Sequence, residues 1–111
     1  MTTVVVDAEN VRRSIWPNVS PEQLVERVGA WAREQGHRAI VVFDGRPPAV
    51  DPGDDVELVG TGAGSADDRI AELAAELEQP FWLVTSDREL RRRAGGRAER
   101  VVGGGSFVRE I

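Results

Sequence analysis

Three apolar runs in this chain each end in an aspartate, and that repetition limits the folds open to it. Val4-Val5-Val6 runs into Asp7, Ala39-Ile40-Val41-Val42-Phe43 into Asp44, and Phe81-Trp82-Leu83-Val84-Thr85-Ser86 into Asp87. A short, continuous apolar run rich in β-branched residues reads as a strand buried on both faces, the pattern of a central parallel strand. Parallel strands point the same way, so each aspartate falls at the carboxyl end of its strand, where open α/β sheets place their ligands. Three buried strands thus deliver three carboxylates to one edge.

The segments between them carry helix signals. Ser20-Pro21-Glu22-Gln23 combines a capping serine, a proline at the first helical position and a glutamine three residues after the cap. Leu24, Val28, Trp31 and Ala32 follow on one face, so a helix is expected over about 21–35, closed by Gly36, with Trp31 in the core. Ser65-Ala66-Asp67-Asp68 opens a second helix, whose Ile70, Leu73, Ala74 and Leu77 keep helical spacing until Gln79-Pro80. Ser86-Asp87-Arg88-Glu89 has the S-x-x-E spacing of a capping box and starts a short helix that stops by Gly95-Gly96. Val56 to Val59 and Arg100 to Val102 read as further strands, and a last helical turn is expected from Ser106. Residues 10–18, with Arg12, Arg13 and Trp16-Pro17, read as a loop, and His37 as a surface or structural residue.

This alternation gives one domain over 1–111, a three-layer α/β/α, Rossmann-like sheet of about five mostly parallel strands. The proline-rich connection at 45–54 is short for a crossover helix, which leaves the direction of the third strand open. Gly60-Thr61-Gly62-Ala63-Gly64-Ser65 fails as a dinucleotide fingerprint, because its sixth position is serine and it follows the third strand.

No apolar stretch nears the roughly 20 residues that span a bilayer, so no membrane partner is expected. Met1-Thr2-Thr3 leads straight into a strand without the features of a signal peptide, and cysteine is absent; both suit a cytoplasmic protein. The net charge of −5 disfavours nucleic acid at first sight. However, Asp7, Asp44, Asp67 and Asp87 supply most of that excess, and Arg88 to Arg100 holds six arginines against Glu89 and Glu99. Every basic residue is arginine, whose planar fork suits phosphate. Arg12, Arg13, Arg88, Arg91 and Arg92 are therefore candidate phosphate contacts, with a solvated face as the plainer reading. Trp16 is either a packing anchor or a surface on which a base stacks.

Taken singly, Asp67 and Asp87 read as helix-start acids and Asp44-Gly45 as a turn. Asp7 has no such reading, because no helix signal follows it directly. Taken together, carboxylates that converge raise one another's pKa, and a hard divalent cation relieves the cost. All-oxygen ligation without histidine or cysteine suits Mg²⁺ or Mn²⁺, ions that promote phosphodiester hydrolysis. Glu9, Asn10, Asp68, Ser86 and Glu89 stand next to these acids in the chain and are candidates to support them.

Val4-Val5-Val6-Asp7-Ala8-Glu9-Asn10 resembles the V-D-x-x-N opening of the NYN-domain nucleases. Val41-Val42-Phe43-Asp44, Ser65-Ala66-Asp67-Asp68 with Ile70, and Val84-Thr85-Ser86-Asp87 resemble the successive motifs of their YacP-like branch, in order and over essentially the whole chain. That resemblance implies a PIN-like fold and a metal-dependent endoribonuclease that cleaves single-stranded RNA with Mg²⁺ or Mn²⁺. It implies Asp7, Asp67 and Asp87 as metal-binding catalytic acids, Asp44 as a further ligand and Asn10 as the residue that shapes the first turn. Asp67 matches better than Asp68, because the family has A-D followed by a second acid. The implied partner is RNA, ribosome-associated mRNA included. Two departures stand out: Glu9 replaces a frequent aromatic, and the chain ends at Ile111 where YacP-like relatives continue through further helices. A domain with so small a C-terminal layer is expected to expose apolar surface, which a homodimer would cover.

Two other readings share the fold: a catalytically inactive RNA- or ribosome-binding module, and the toxin of a toxin–antitoxin pair. A phosphoacceptor receiver domain needs a late lysine that this chain lacks, and a haloacid-dehalogenase phosphatase needs an aspartate where Glu9 stands.

Overall fold

The computed structural model describes the whole chain, Met1 to Ile111. Five strands, β1 (Thr3–Asp7), β2 (Arg38–Phe43), β3 (Val56–Gly60), β4 (Phe81–Val84) and β5 (Arg100–Val102), form one sheet in the order β3-β2-β1-β4-β5. Every pairing in it is parallel. The helices are α1 (Ala8–Arg13), α2 (Pro21–Gln35), α3 (Ala66–Glu76), α4 (Arg88–Ala94) and α5 (Gly104–Val108). No helix is long and apolar enough to cross a membrane.

Alternation along the strands sorts the core into two layers. Val4, Val6, Val41, Phe43 and Val84 pack with Val11, Leu24, Val28, Trp31 and Phe107 of α1, α2 and α5. Val5, Ile40, Val42, Phe81 and Leu83 pack with Ile70, Leu73, Leu90 and Ala94 of α3 and α4 on the opposite face. The central strands β1, β2 and β4 are apolar on both sides because helices cover both sides.

The third strand proves parallel although no helix precedes it. Residues 44–55 make the crossover as a loop laid against α2, close enough that a Cβ at Gly29 would stand in ordinary contact, 3.7 Å, with the Pro52 carbonyl oxygen. At the far end, Thr61 and Gly62 donate their amides to the Gly45 carbonyl at 2.9 and 3.1 Å. Gly60 has no space for a side chain, since a Cβ would meet Pro47 and the Gly45 oxygen at 2.5 and 2.6 Å. The glycine cluster thus has a turn-forming role, as the failed fingerprint suggests.

Helix starts follow the sequence signals, with exceptions. Ser20 and Gln23 form the expected capping box, and Gly36 closes α2 with φ 70°. Residues 10–13, expected as part of a loop over 10–18, belong instead to α1, which buries Ala8 and Val11 one turn apart. α3 ends at Glu76, short of Gln79; Leu77 is extended, and Arg97 donates to the Ala74, Ala75 and Leu77 carbonyls that the helix leaves open. The exposed large apolar side chains are Met1, Trp16 and Val50, one each in the N-terminus, the α1–α2 loop and the β2–β3 connection. They do not compose the apolar face expected to support a homodimer.

Candidate active site

The strand order reverses between β1 and β4, so a crevice opens at their carboxyl ends. Four elements send an aspartate there. Asp7 ends β1 and Asp44 follows β2; Asp67 is the second residue of α3, and Asp87 precedes α4. With Glu9, Asn10, Arg13 and Ser65 they line a cleft of about 200 Å³ that has no apolar side chain in its wall.

Each carboxylate is held differently. Asp7 occupies the N-cap position of α1, near the Asn10 backbone amide but without a well-formed cap hydrogen bond. Its Oδ2 instead accepts from the Thr85 hydroxyl at 3.0 Å. That hydroxyl also accepts from the Asp87 amide at 3.1 Å, so one buried threonine ties the end of β1 to the turn after β4. Asp44 Oδ1 accepts from the Ala66 amide at 2.7 Å, which fixes the start of α3 against β2. Ser65 caps α3 through the Asp68 amide at 3.1 Å and leaves the Asp67 carboxylate to the cleft. Asp87 Oδ1 accepts from the Leu90 amide at 3.0 Å. The cap of α4 is therefore Asp87 rather than Ser86.

Ser86 has another role. Its amide donates to Asn10 Oδ1 at 2.8 Å, and its hydroxyl accepts from the Gly104 amide at 2.8 Å. A Cβ at Gly104 would come within 2.5 Å of Asn10 Oδ1, so only glycine lets α5 close on this junction. Asn10 thereby reaches across from α1 to the β4–α4 turn. Thr85 and Gly104 were not singled out from the sequence. The signal for Thr85 was a hydroxyl ending an apolar strand beside Asp87; for Gly104 there was none beyond a run of three glycines.

The cleft carries an electrostatic cost. Asp7 is 5% exposed, and burial pushes its carboxyl up from 3.8 to about 6. The Thr85 hydroxyl and the Asn10 amide oppose the rise, while Asp67 and Asp44 add to it. Asp67 is raised as well, first by burial and then by Asp87 and Asp44, against the pull of Arg93. Asp68 and Glu89 lie outside the cleft. Asp68 pairs with Arg93 at 2.8 Å, which with the Ser65 hydrogen bond holds its carboxyl below the usual range. Glu89 pairs with Arg92.

The candidate phosphate contacts divide in two. Arg12 is engaged by Glu9 at 3.0 Å and by the Val19 carbonyl, Arg91 by the Thr85 carbonyl at 2.9 Å, and Arg92 by Glu89. None of the chain's ion pairs involves Arg13, which lines the cleft, or Arg88, which follows Asp87. Trp16 is no packing anchor: its side chain stands 90% exposed.

The donor set is all oxygen, the chemistry of a hard cation. No three acidic or histidine side chains are gathered closely enough to enclose an ion by themselves. Asp44 and Asp87 each commit one oxygen to a backbone amide and keep the other. Such an arrangement fits an ion that retains part of its water shell and is held by one or two carboxylates, as Mg²⁺ commonly is.

No model of a known protein family matches the chain, and no curated protein matches it by sequence. Solved structures do. A point mutant of Rae1 (YacP) from Bacillus subtilis superposes with a TM-score of 0.79 at 24% identity, over 99% of this chain and 74% of that one. Rae1 (YacP) without that mutation superposes at 0.78 and 22% identity, over 99% and 73%. At this identity the likeness shows the fold, a parallel α/β sheet of the YacP kind.

Proposed function

We propose that this chain is a metal-dependent endoribonuclease that hydrolyses phosphodiester bonds of single-stranded RNA. The observation that carries the reading is the meeting of Asp7, Asp44, Asp67 and Asp87, from four separate elements, in one wholly polar cleft at the switch point of the sheet. The motif resemblance to the NYN-domain nucleases supports the choice of RNA, and the fold likeness to Rae1 (YacP) agrees with the fold that this resemblance implies.

Asp7, Asp67 and Asp87 would hold Mg²⁺ or Mn²⁺ between them, one or two directly and the rest through waters the ion keeps, with the free oxygen of Asp44 as a further, water-mediated ligand. Bound there, such an ion lowers the pKa of an attacking water and offsets charge on the attacking and leaving oxygens. The chain's part is to keep the carboxylates in place. Thr85 orients Asp7, the α4 cap orients Asp87, and the Ala66 amide orients Asp44. Asp7 gains most from a cation, because burial and its acidic neighbours already disfavour its charge. Arg13 and Arg88 are the free guanidiniums that would bind RNA phosphates; Arg12, Arg91 and Arg92 would act through the elements they brace.

The test is incubation of purified protein with a labelled single-stranded RNA in Mn²⁺, Mg²⁺ or EDTA, beside Asp7→Asn and Asp87→Asn. Cleavage in either metal, absent in EDTA and at least about 100-fold slower in both variants, is expected. Cleavage that survives EDTA or either substitution would contradict the proposal. One observation favours a second reading, an RNA- or ribosome-binding module without turnover: no three acids enclose an ion, and two of them serve as backbone acceptors. RNA bound but left intact in every metal would select it.

A further inference from the structure

Trp16 is the most exposed of the chain's exposed large apolar side chains, at 90%. Its loop is nevertheless anchored on both sides. Ile15 and Val19 are buried in the core, and the Ser14 hydroxyl donates to the Asn10 carbonyl at 3.0 Å. Arg12 donates from Nε to the Val19 carbonyl at 3.0 Å and from Nη1 to both Glu9 oxygens. The Asn18 amide, turned to donate, reaches the Arg12 and Ile15 carbonyls at 3.2 and 2.8 Å. A well-braced loop thus holds one large aromatic in water.

Position gives the exposure a meaning. Glu9, Asn10 and Arg13 of α1 line the acidic cleft, and Trp16 follows Arg13 by three residues, at most about 11 Å between their Cα atoms. An exposed aromatic three residues along the chain from an unpaired guanidinium supplies the two parts with which proteins grip single strands: the arginine meets phosphate and a base stacks on the ring. A protein partner would call for a wider apolar patch, and neither of the other exposed large apolar side chains lies in this loop.

We infer that Trp16 is a stacking platform for an unpaired nucleobase of the RNA strand that enters the acidic cleft, with Arg13 holding the phosphate between them. The inference rests on the proposed action on RNA and deepens it: a base within a duplex cannot offer its face to the indole, so the platform selects unpaired RNA. Arg12 is then a positioning residue, which acts by bracing the loop.

The experiment measures binding of a labelled single-stranded RNA oligomer to the full chain, in EDTA and again in Ca²⁺. Trp16→Ala is expected to weaken binding about tenfold or more, and Trp16→Phe to recover most of the loss. An oligomer with one abasic position should bind the parent correspondingly less well, and Trp16→Ala should add little to that loss. Since the side chain is exposed, the melting temperature of Trp16→Ala should match the parent. In cleavage assays KM should rise while kcat holds. Trp16→Ala binding as tightly as the parent would overturn the inference alone and leave the indole to a protein partner. A parent chain that binds no RNA in either medium would overturn both this inference and the RNA reading beneath it.

Discussion

Asp7 bears the strain of the cleft. It is almost fully buried, and its carboxyl is pushed up to about 6 in the folded chain, against 3.8 when exposed. An acid with a higher pKa folded than unfolded binds its proton more tightly in the native state. Stability therefore falls as pH rises from about 4 to about 6 and is level above that. At 1.36 kcal/mol per pKa unit the loss reaches about 3 kcal/mol as an upper figure. Asp7→Asn, which can still accept from Thr85, should thus be more stable than the parent at pH 7 by up to that amount. The difference should close near pH 4, as urea unfolding at the two pH values would show. A residue that destabilises the fold where it sits is the mark of a functional group. The sequence made this residue legible as a carboxylate that ends a fully apolar strand, although the helix α1 that follows it directly was not legible. Its partner Thr85 was not legible: a threonine ending a strand is ordinary β chemistry, and the bond to Asp7 spans 78 residues.

At the scale of elements, the site depends on a junction of α1, the β4–α4 turn and α5, made by Asn10, Ser86 and Gly104. Gly104→Ala should push Asn10 aside, at a cost of about 1–3 kcal/mol and with a larger loss of RNA cleavage than the stability change explains. Gly105→Ala is the control, since a Cβ there meets nothing within 4 Å, and it should leave stability equal or slightly raised. Thermal melts of the two variants, with cleavage rates at a temperature where both are folded, check this. This junction also marks where sequence reading stopped. α1 was missed because six residues with no capping side-chain bond give little local signal. Ser86 was read as a cap because S-x-x-E spacing fits one, yet its hydroxyl is held by Gly104, 18 residues on. Strands, by contrast, were legible nearly to the residue. Burial on both faces writes itself into a strand as an unbroken apolar run, whereas tertiary hydrogen bonds write nothing.

For the whole molecule, strand order makes the site. β1 lies at the centre, the chain builds outward on either side of it, and the reversal brings acids from β1, β2, α3 and the β4–α4 turn to one crevice. A parallel order follows from the apolar runs, but the crossover without a helix before β3 rests on the close turn at Gly60, which no periodicity announces. Whether this crevice is built for a divalent cation is read from the melting temperature of the parent and of Asp7→Asn at pH 7, each in EDTA and in Mn²⁺. The variant should melt higher in EDTA. Manganese at about 100 times its dissociation constant should raise the parent by about 10 °C, about 2.7 kcal/mol of linkage, and the variant far less. Manganese that leaves both unchanged, or raises both equally, would contradict the account.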